Sequence, residues 1–312
     1  MTTTIGIAGI TGKFSGLILK RLLDSSDAKI KGFCRNAAKL PDQVRSSARV
    51  TIIEGGAYDK DAVRNFVKGC DVIVCGYLGD DELMTEGQKL LVDACELEKI
   101  PRYIAGDFSL DFTKLEYGQL PSKDPMKVVK SYLETKPNVE GVHVLIGVFM
   151  ETFWSDYIRL WNPEECCFDF YGTGDETWEA TSYGTAAAYV AAVALDRDAS
   201  GVLHFVGERK SLRQVAADFE QVYCKKLILA RQGSLDELYS TMHAKFKEDP
   251  SNRWAWINLF YQYYCTNGQT YLKEELDNVK YPDVKPVTFK QFLQSYKIEE
   301  LSTTYRGLGF EA

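Results

Sequence analysis

The chain has 312 residues, 45% apolar and 26% charged, which is enough apolar surface to offset chain entropy and enough length for one large or two modest domains. A formal net charge of −7 argues against a sequence-independent nucleic-acid binder. The longest apolar run, TAAAYVAAVAL at 185–195, falls well short of the roughly 20 residues a membrane span needs. The opening MTTTIGIAGI lacks the basic start of a signal peptide, so a cytoplasmic protein is expected.

Over the first 150 residues, short apolar runs alternate with helical periodicity. The runs are Thr4–Ala8, Ile30–Cys34, Val50–Ile53, Val72–Cys75, Arg102–Ala105 and Val142–Val148. Between them, Leu19-Leu22-Leu23, Val63-Phe66-Val67 and Leu91-Ala94-Cys95 repeat at helical spacing. Strands apolar on both faces and separated by helices predict an α/β fold with a doubly wound parallel sheet, its binding crevice at the strand C-termini. The stretch from Phe108 to Met126, with Gly118 and Pro121 inside it, reads as a loop beside that crevice.

After Met150 the texture changes. Of 39 aromatic residues only eleven precede Glu151, and all five tryptophans follow it. RWAWINLFYQYY at 253–264 is the densest stretch. Such rings supply a core, a dimer interface or the walls of an apolar pocket. The expected division is a dinucleotide-binding domain over 1–150 and a smaller substrate lobe over 151–312, with about 166–206 returning to the first sheet. Eight cysteines lack any C-x-x-C spacing and the three histidines are scattered. Reduced, mostly buried thiols and no metal site are expected.

The strongest local signal is GIAGITGKFSG at 6–16. It follows the first strand and opens the first helix, as a dinucleotide fingerprint requires. Gly9 and Gly12 allow a tight turn and close approach of a pyrophosphate to the helix N-terminus, with Thr11, Lys13 and Phe14 beside it. Ser15 stands where the third glycine is usual. Past the second strand, Arg35 and Lys39 occupy the region where an NAD binder places a carboxylate, and there is none between Lys31 and Leu40. Two cations there suit a ribose 2′-phosphate, so the expected cofactor is NADP(H). Cys75, Gly76 and Tyr77 end the fourth strand and are placed to flank the dinucleotide.

GIAGITGKFSG, CRNAAKL at 34–40, RYIAGDFSLDF at 102–112, GVHVLIGVFMETFW at 141–154 and GVLHFVGE at 201–208 together resemble the NmrA-like branch of the atypical short-chain dehydrogenase/reductases. That branch is related to the isoflavone and phenylcoumaran benzylic ether reductases, and the second half resembles its fungal, secondary-metabolic members. The resemblance implies an extended Rossmann domain, with positions matching Gly9, Thr11, Gly12, Arg35 and Lys39 on the dinucleotide. The family's reductases carry a catalytic lysine early in the helix after the fifth strand. Lys127 aligns best with it, with Lys123 and Lys130 as close rivals. Tyr132 and Lys136 are spaced like the Tyr-x-x-x-Lys of ordinary short-chain dehydrogenases, but Lys136 precedes Pro137 at a helix end and reads as a coincidental match.

Asp107 ends the fifth strand, where it would accept a proton, hold a substrate amine or cap the next turn. Phe149, Met150, Glu151, Phe153 and Trp154 follow the sixth, where relatives line the substrate pocket. The resemblance thus implies hydride transfer to or from C=N, C=C or C=O of a hydrophobic, ring-containing molecule, with cyclisation as a variant. The other reading it offers is a dinucleotide-sensing regulator that binds a protein partner. Neither nucleic acid nor membrane is an expected partner, and a homodimer is compatible with the aromatic surplus.

Overall fold

The computed structural model describes residues 2–306. Six strands and five helices alternate through the first half: β1 (Thr4–Ala8), α1 (Lys13–Ser25), β2 (Lys29–Cys34), α2 (Asp42–Arg45), β3 (Val50–Glu54), α3 (Lys60–Val67), β4 (Val72–Cys75), α4 (Gln88–Glu98), β5 (Arg102–Ile104), α5 (Asp124–Leu133) and β6 (Glu140–Leu145). Beyond them come β7 (Val148–Phe149), α6 (Met150–Phe153), β8 (Trp161–Asn162), β9 (Cys167–Tyr171), β10 (Thr177–Thr181), α7 (Tyr183–Leu195), β11 (Gly201–His204), β12 (Glu208–Ser211), α8 (Leu212–Tyr223), β13 (Ile228–Gly233), α9 (Leu235–Glu248), α10 (Arg253–Thr266) and α11 (Phe289–Gln294).

Seven strands form one sheet in the order β11-β6-β5-β4-β1-β2-β3, and every pair in it is parallel. The chain reverses its direction of growth between β1 and β4, which opens a crevice above their C-terminal ends. Strands β1 and β4 are buried on both faces, as a sheet covered by helices on both sides demands.

The apolar run at 185–195 lies within α7, whose alanines pack between α1 and the sheet. Alanine permits that close approach and favours helix. Arg102 pins the helix end: its buried guanidinium donates to the carbonyls of Val193 (3.0 Å) and Ala194 (2.9 Å), where free carbonyls and the helix dipole favour a cation. Among the described residues no helix is long and apolar enough to cross a membrane.

Within 166–206, α7 and β11 join the main sheet layer, whereas β9 and β10 pair in two smaller three-stranded sheets, β13-β9-β8 and β12-β10-β7. A separate aromatic core lies over the C-terminal region and takes in Leu110, Phe112, Leu115 and Leu120 from the loop after β5; in it Trp154, Trp161, Trp178 and Trp256 are all buried among Phe153, Phe168, Phe219 and Phe260. Each such ring contributes roughly 1.5–3 kcal/mol through the apolar area it removes from water. The eight cysteines are free, and only Cys224 is exposed.

Candidate functional site

The loop between β1 and α1 turns on Gly9, whose φ of +71° is left-handed and whose amide donates to the Phe33 carbonyl at 2.9 Å. A Cβ on Gly9 would lie 3.0 Å from the Gly76 carbonyl oxygen and 3.3 Å from the Tyr77 ring, so the β1 and β4 termini approach each other only because this residue has no side chain. Gly12 caps α1 in an extended conformation, with no side-chain cap and no acid in the first turn. The first-turn N–H groups therefore remain available to an anion. Ser15 fills the space of a third glycine by tucking beneath Gly76, where a Cβ would stand 1.9 Å from its hydroxyl. The Ser15 and Tyr77 hydroxyls are buried without a hydrogen-bond partner among the described residues. A glycine cradle and a helix N-terminus free of acids fit a dinucleotide pyrophosphate.

Arg35 and Lys39 are exposed at the end of β2, and neither makes an ion pair among the described residues. Asn36 caps the turn between them by accepting from the Ala38 amide at 2.8 Å. Glu54, at the end of β3, accepts from the Ala37 amide at 2.6 Å, so the turn is held from both sides while the two cations stay free. Two of the expected cofactor contacts have side chains engaged elsewhere. Lys13 points along the surface, donating to the carbonyls of Tyr305 (2.9 Å) and Arg306 (3.1 Å). The Cys75 side chain turns into the core beneath the sheet, where burial pushes its thiol up to about 11, so only Gly76 and Tyr77 of that trio face the loop. Thr11 and Phe14 are partly exposed at the crevice.

The three candidate lysines differ in what holds them. Lys127 is buried with its ammonium saturated: it donates to the Glu116 carbonyl at 2.6 Å, pairs with Asp124 at 2.7 Å and lies 4.6 Å from the Tyr117 ring centre. It fastens the 108–121 loop to α5. Lys130 pairs with Glu134 on the helix surface. Lys123, in the single 3-10 turn before α5, is 5% exposed. Its ammonium makes no hydrogen bond or ion pair among the described residues and sits 5.4 Å from the centre of the Tyr261 ring. Burial lowers its pKa to about 8, with the Arg253 charge adding to the fall and the Asp107 carboxylate opposing it weakly. A desolvated, uncommitted amine is the form in which lysine moves protons.

Around Lys123, Ser122 donates to the Tyr261 hydroxyl at 3.2 Å, Tyr157 packs on Tyr261 at 5.3 Å between ring centres, and the exposed Trp254 meets Tyr157 edge-on. Arg253 reaches across to Asp81 in the loop after β4, 3.6 Å away. These α10 residues lie within RWAWINLFYQYY. Sequence reading found the stretch without saying which rings face Lys123. Asp107 is 1% exposed, and one of its oxygens is held by His143 while the other is unpartnered among the described residues. Tyr132 and Lys136 both bind Asp93 of α4 at 2.6 Å, a structural tie on the side of the helix.

The five residues after β6 divide. Phe149 stacks on Tyr183 (4.0 Å between ring centres) and meets the edge of Phe14 at 5.3 Å, which in turn meets Phe108 at 4.8 Å. This aromatic group stands beside the N-terminus of α1. Met150, Phe153 and Trp154 do not line a pocket: all three are 0% exposed and belong to the second lobe's core, because α6 begins immediately after β7 and rotates them inward.

Glu151 is also buried. Its carboxylate accepts from the Tyr183 amide at 3.0 and 3.1 Å, at the first turn of α7. Burial raises its pKa to about 7 despite that hydrogen bond. An acid raised in the folded state stabilises the fold while protonated in both states and loses that contribution as pH climbs from about 4.5 to about 7. Glu151→Gln is expected to remove this cost, on the order of 2–3 kcal/mol, and to raise the melting temperature at pH 8 but not at pH 4. Melting curves across that range provide the check.

Residues 9–141 match the NAD(P)H-binding family. The oxidoreductase nsrR of Aspergillus novofumigatus is 33% identical over 73 residues, 22% of this chain and 28% of that protein, so the match spans under a third of the relative's length. Among solved structures, isoflavone reductase superposes with a TM-score of 0.79 at 14% identity, covering 95% of this chain and 100% of its own. The leucoanthocyanidin reductase–NADPH complex from Vitis vinifera does so at 0.74 and 16%, covering 94% and 99%. Among the described residues no group of three or more metal-ligating side chains occurs. Residues 9–141 thus resemble the NAD(P)H-binding family, and the chain has the fold of isoflavone reductase.

Proposed function

We propose that the protein is an NADP(H)-dependent reductase of a hydrophobic, ring-containing small molecule, a fungal secondary metabolite, acting on a C=N, C=C or C=O bond. The observation that supports this reading is a glycine cradle after β1 and a buried lysine that no other group claims after β5, both on the side of the sheet where the strands end. When bound, NADPH supplies a hydride. Arg35 and Lys39 bind the 2′-phosphate by charge-assisted hydrogen bonds, and the α1 N-terminus binds the pyrophosphate. Lys123 delivers a proton to the atom that gains negative charge, or takes one in the reverse direction. Tyr157, Tyr261 and Trp254 hold the ring and exclude water, while Phe14, Phe149 and Tyr183 wall the opposite side.

The test is NADPH fluorescence on titration, followed by NADPH consumption and product mass with a panel of cyclic imines, enones and ring ketones. Saturable binding with a reduced product supports the reading. Binding with neither consumption nor any new mass across the panel favours the sensing regulator. Arg35→Ala is expected to weaken NADPH about tenfold, the loss of one charge-assisted contact, and to leave NADH unchanged. Calorimetric titration of both nucleotides tests that difference, and equal losses would place Arg35 away from the 2′-phosphate.

A further inference from the structure

Pro121, Ser122 and Lys123 form a single 3-10 turn before α5, closed by the Lys123 amide donating to the Leu120 carbonyl at 2.8 Å. Opposite it, Trp254, Tyr261 and Cys265 recur at helical spacing along α10. Two neighbouring residues of the turn take hold of the same ring. Ser122 Oγ donates to the Tyr261 hydroxyl at 3.2 Å, and Lys123 Nζ stands over the face of the Tyr261 ring, 5.4 Å from its centre. Tyr157, after α6, packs against Tyr261 at 5.3 Å between ring centres. The phenol is thus held at its hydroxyl end and along one side, so its orientation is set before any ligand arrives. An ammonium taken out of water needs an attractive partner. Among the described residues Lys123 has no hydrogen bond or ion pair that would supply one. Of the titratable groups that face it, Arg253 on α10 repels the charge. Tyr157 and Cys265 are neutral near pH 7, since burial pushes both upward, the thiol to about 12. Asp107 pairs with His143 instead. The partner that remains is the negative face of the Tyr261 ring, a contact that reaches about 6 Å and gains strength where water is excluded.

We propose that Tyr261 is a positioning residue for the proton donor: the face of its ring is the seat on which the Lys123 ammonium is held, in place and charged. This rests on the reading of Lys123 as the proton donor and adds the group that keeps the donor loaded. Removing the ring face leaves a buried ammonium without a partner, which favours the neutral amine. Removing the hydroxyl alone leaves the face and the Tyr157 packing, and the ammonium stays.

Reductive methylation with formaldehyde and cyanoborohydride across a series of pH values, followed by mass spectrometry of the Lys123 peptide, gives the midpoint at which the amine becomes reactive, without cofactor or substrate. Exposed Lys60 is the internal reference, and melting curves confirm that each variant is folded. The wild-type midpoint is expected at about 8. Tyr261→Leu is expected to lower it by about one pH unit, which speeds labelling at pH 7 about fivefold. Tyr261→Phe is expected to keep the wild-type midpoint. Because the reading is a midpoint and not a rate, wider access to the amine does not imitate the effect. An unmoved or raised midpoint in Tyr261→Leu would remove the seat, and an equal fall in Tyr261→Phe would assign the effect to the hydroxyl. The folded wild type offers a second measurement, by NMR after methylation with isotopically labelled formaldehyde. The Lys123 methyl resonance, identified by its loss in Lys123→Met, is expected upfield of that of Lys60 because it lies over an aromatic face; coincidence of the two would overturn the proposal. NADPH titration of the same preparations separates this from the functional reading. NADPH bound with an unmoved midpoint in Tyr261→Leu sinks the seat alone, whereas no NADPH binding by the wild type, with the midpoints as expected, sinks the reductase and leaves the seat.

Discussion

Replacing Lys123 by methionine is expected to abolish turnover while making the protein more stable, and replacing Lys127 by methionine is expected to do the reverse. Lys123 holds a charge 5% exposed with no hydrogen bond among the described residues, so its removal relieves desolvation. The pKa, lowered from 10.5 to about 8, sets the window. A base depressed in the folded state costs stability below about pH 8, and the cost disappears as pH rises from about 8 to about 10.5. The gain in Lys123→Met is therefore on the order of 2–3 kcal/mol at pH 7 and vanishes above pH 10.5. The catalytic loss is about 10²- to 10⁴-fold, the usual worth of a positioned proton donor. Wild-type turnover should also fall above about pH 8 as the donor form is lost.

Lys127→Met instead strands the Glu116 carbonyl and Asp124, costing about 1–3 kcal/mol, with turnover within tenfold of wild type. Melting curves at pH 7 and 10.5 with kcat for both variants decide the matter. Activity lost in Lys127→Met and kept in Lys123→Met would return the role to the lysine that aligns best with the family.

That difference shows where the sequence stops being readable. The sheet was legible because each strand carries its own apolar signature and parallel order follows from the intervening helices. The cradle was legible because Gly9 and Gly12 fall at a strand–helix junction. The choice among lysines was not, since it depends on the path of the loop before α5. The carbonyls of Leu115 and Glu116, which capture Lys127, have no side-chain signature.

The residues after β6 failed for a related reason. Gly147, at φ +71°, packs so tightly that a Cβ would stand 2.2 Å from the Glu179 carbonyl oxygen. That turn resets which side chains point inward, and it placed Met150, Phe153 and Trp154 in the core. Nothing in the sequence singles out His143, because its partner Asp107 is 36 residues away and meets it only across two paired strands. Tyr157 and Tyr261 were hidden among many aromatics of equal pattern, distinguished only by hydroxyls near Lys123.

Gly9→Val is expected to eliminate NADPH binding in a protein that still folds. The backbone there has φ +71°, which costs an ordinary L-residue roughly 1–2 kcal/mol and a β-branched one more. The new Cβ would press on the Gly76 carbonyl at 3.0 Å and the Tyr77 ring at 3.3 Å, two groups on the floor of the crevice. Relief requires β4's end and the loop before α1 to separate, which moves the first-turn amides of α1 out of register with a pyrophosphate. The stability loss should be about 2–4 kcal/mol, a fall of several degrees in melting temperature, and NADPH affinity should fall at least about a hundredfold because several backbone contacts are lost together. Gly56→Ala is the control: a Cβ there meets nothing within 4 Å among the described residues and the backbone is not left-handed, so melting and binding should match wild type. Fluorescence titration of the two variants at equal folded fraction makes the comparison. Undiminished NADPH affinity in Gly9→Val would mean that the nucleotide does not pass over this loop, and the crevice would have to be assigned to another ligand.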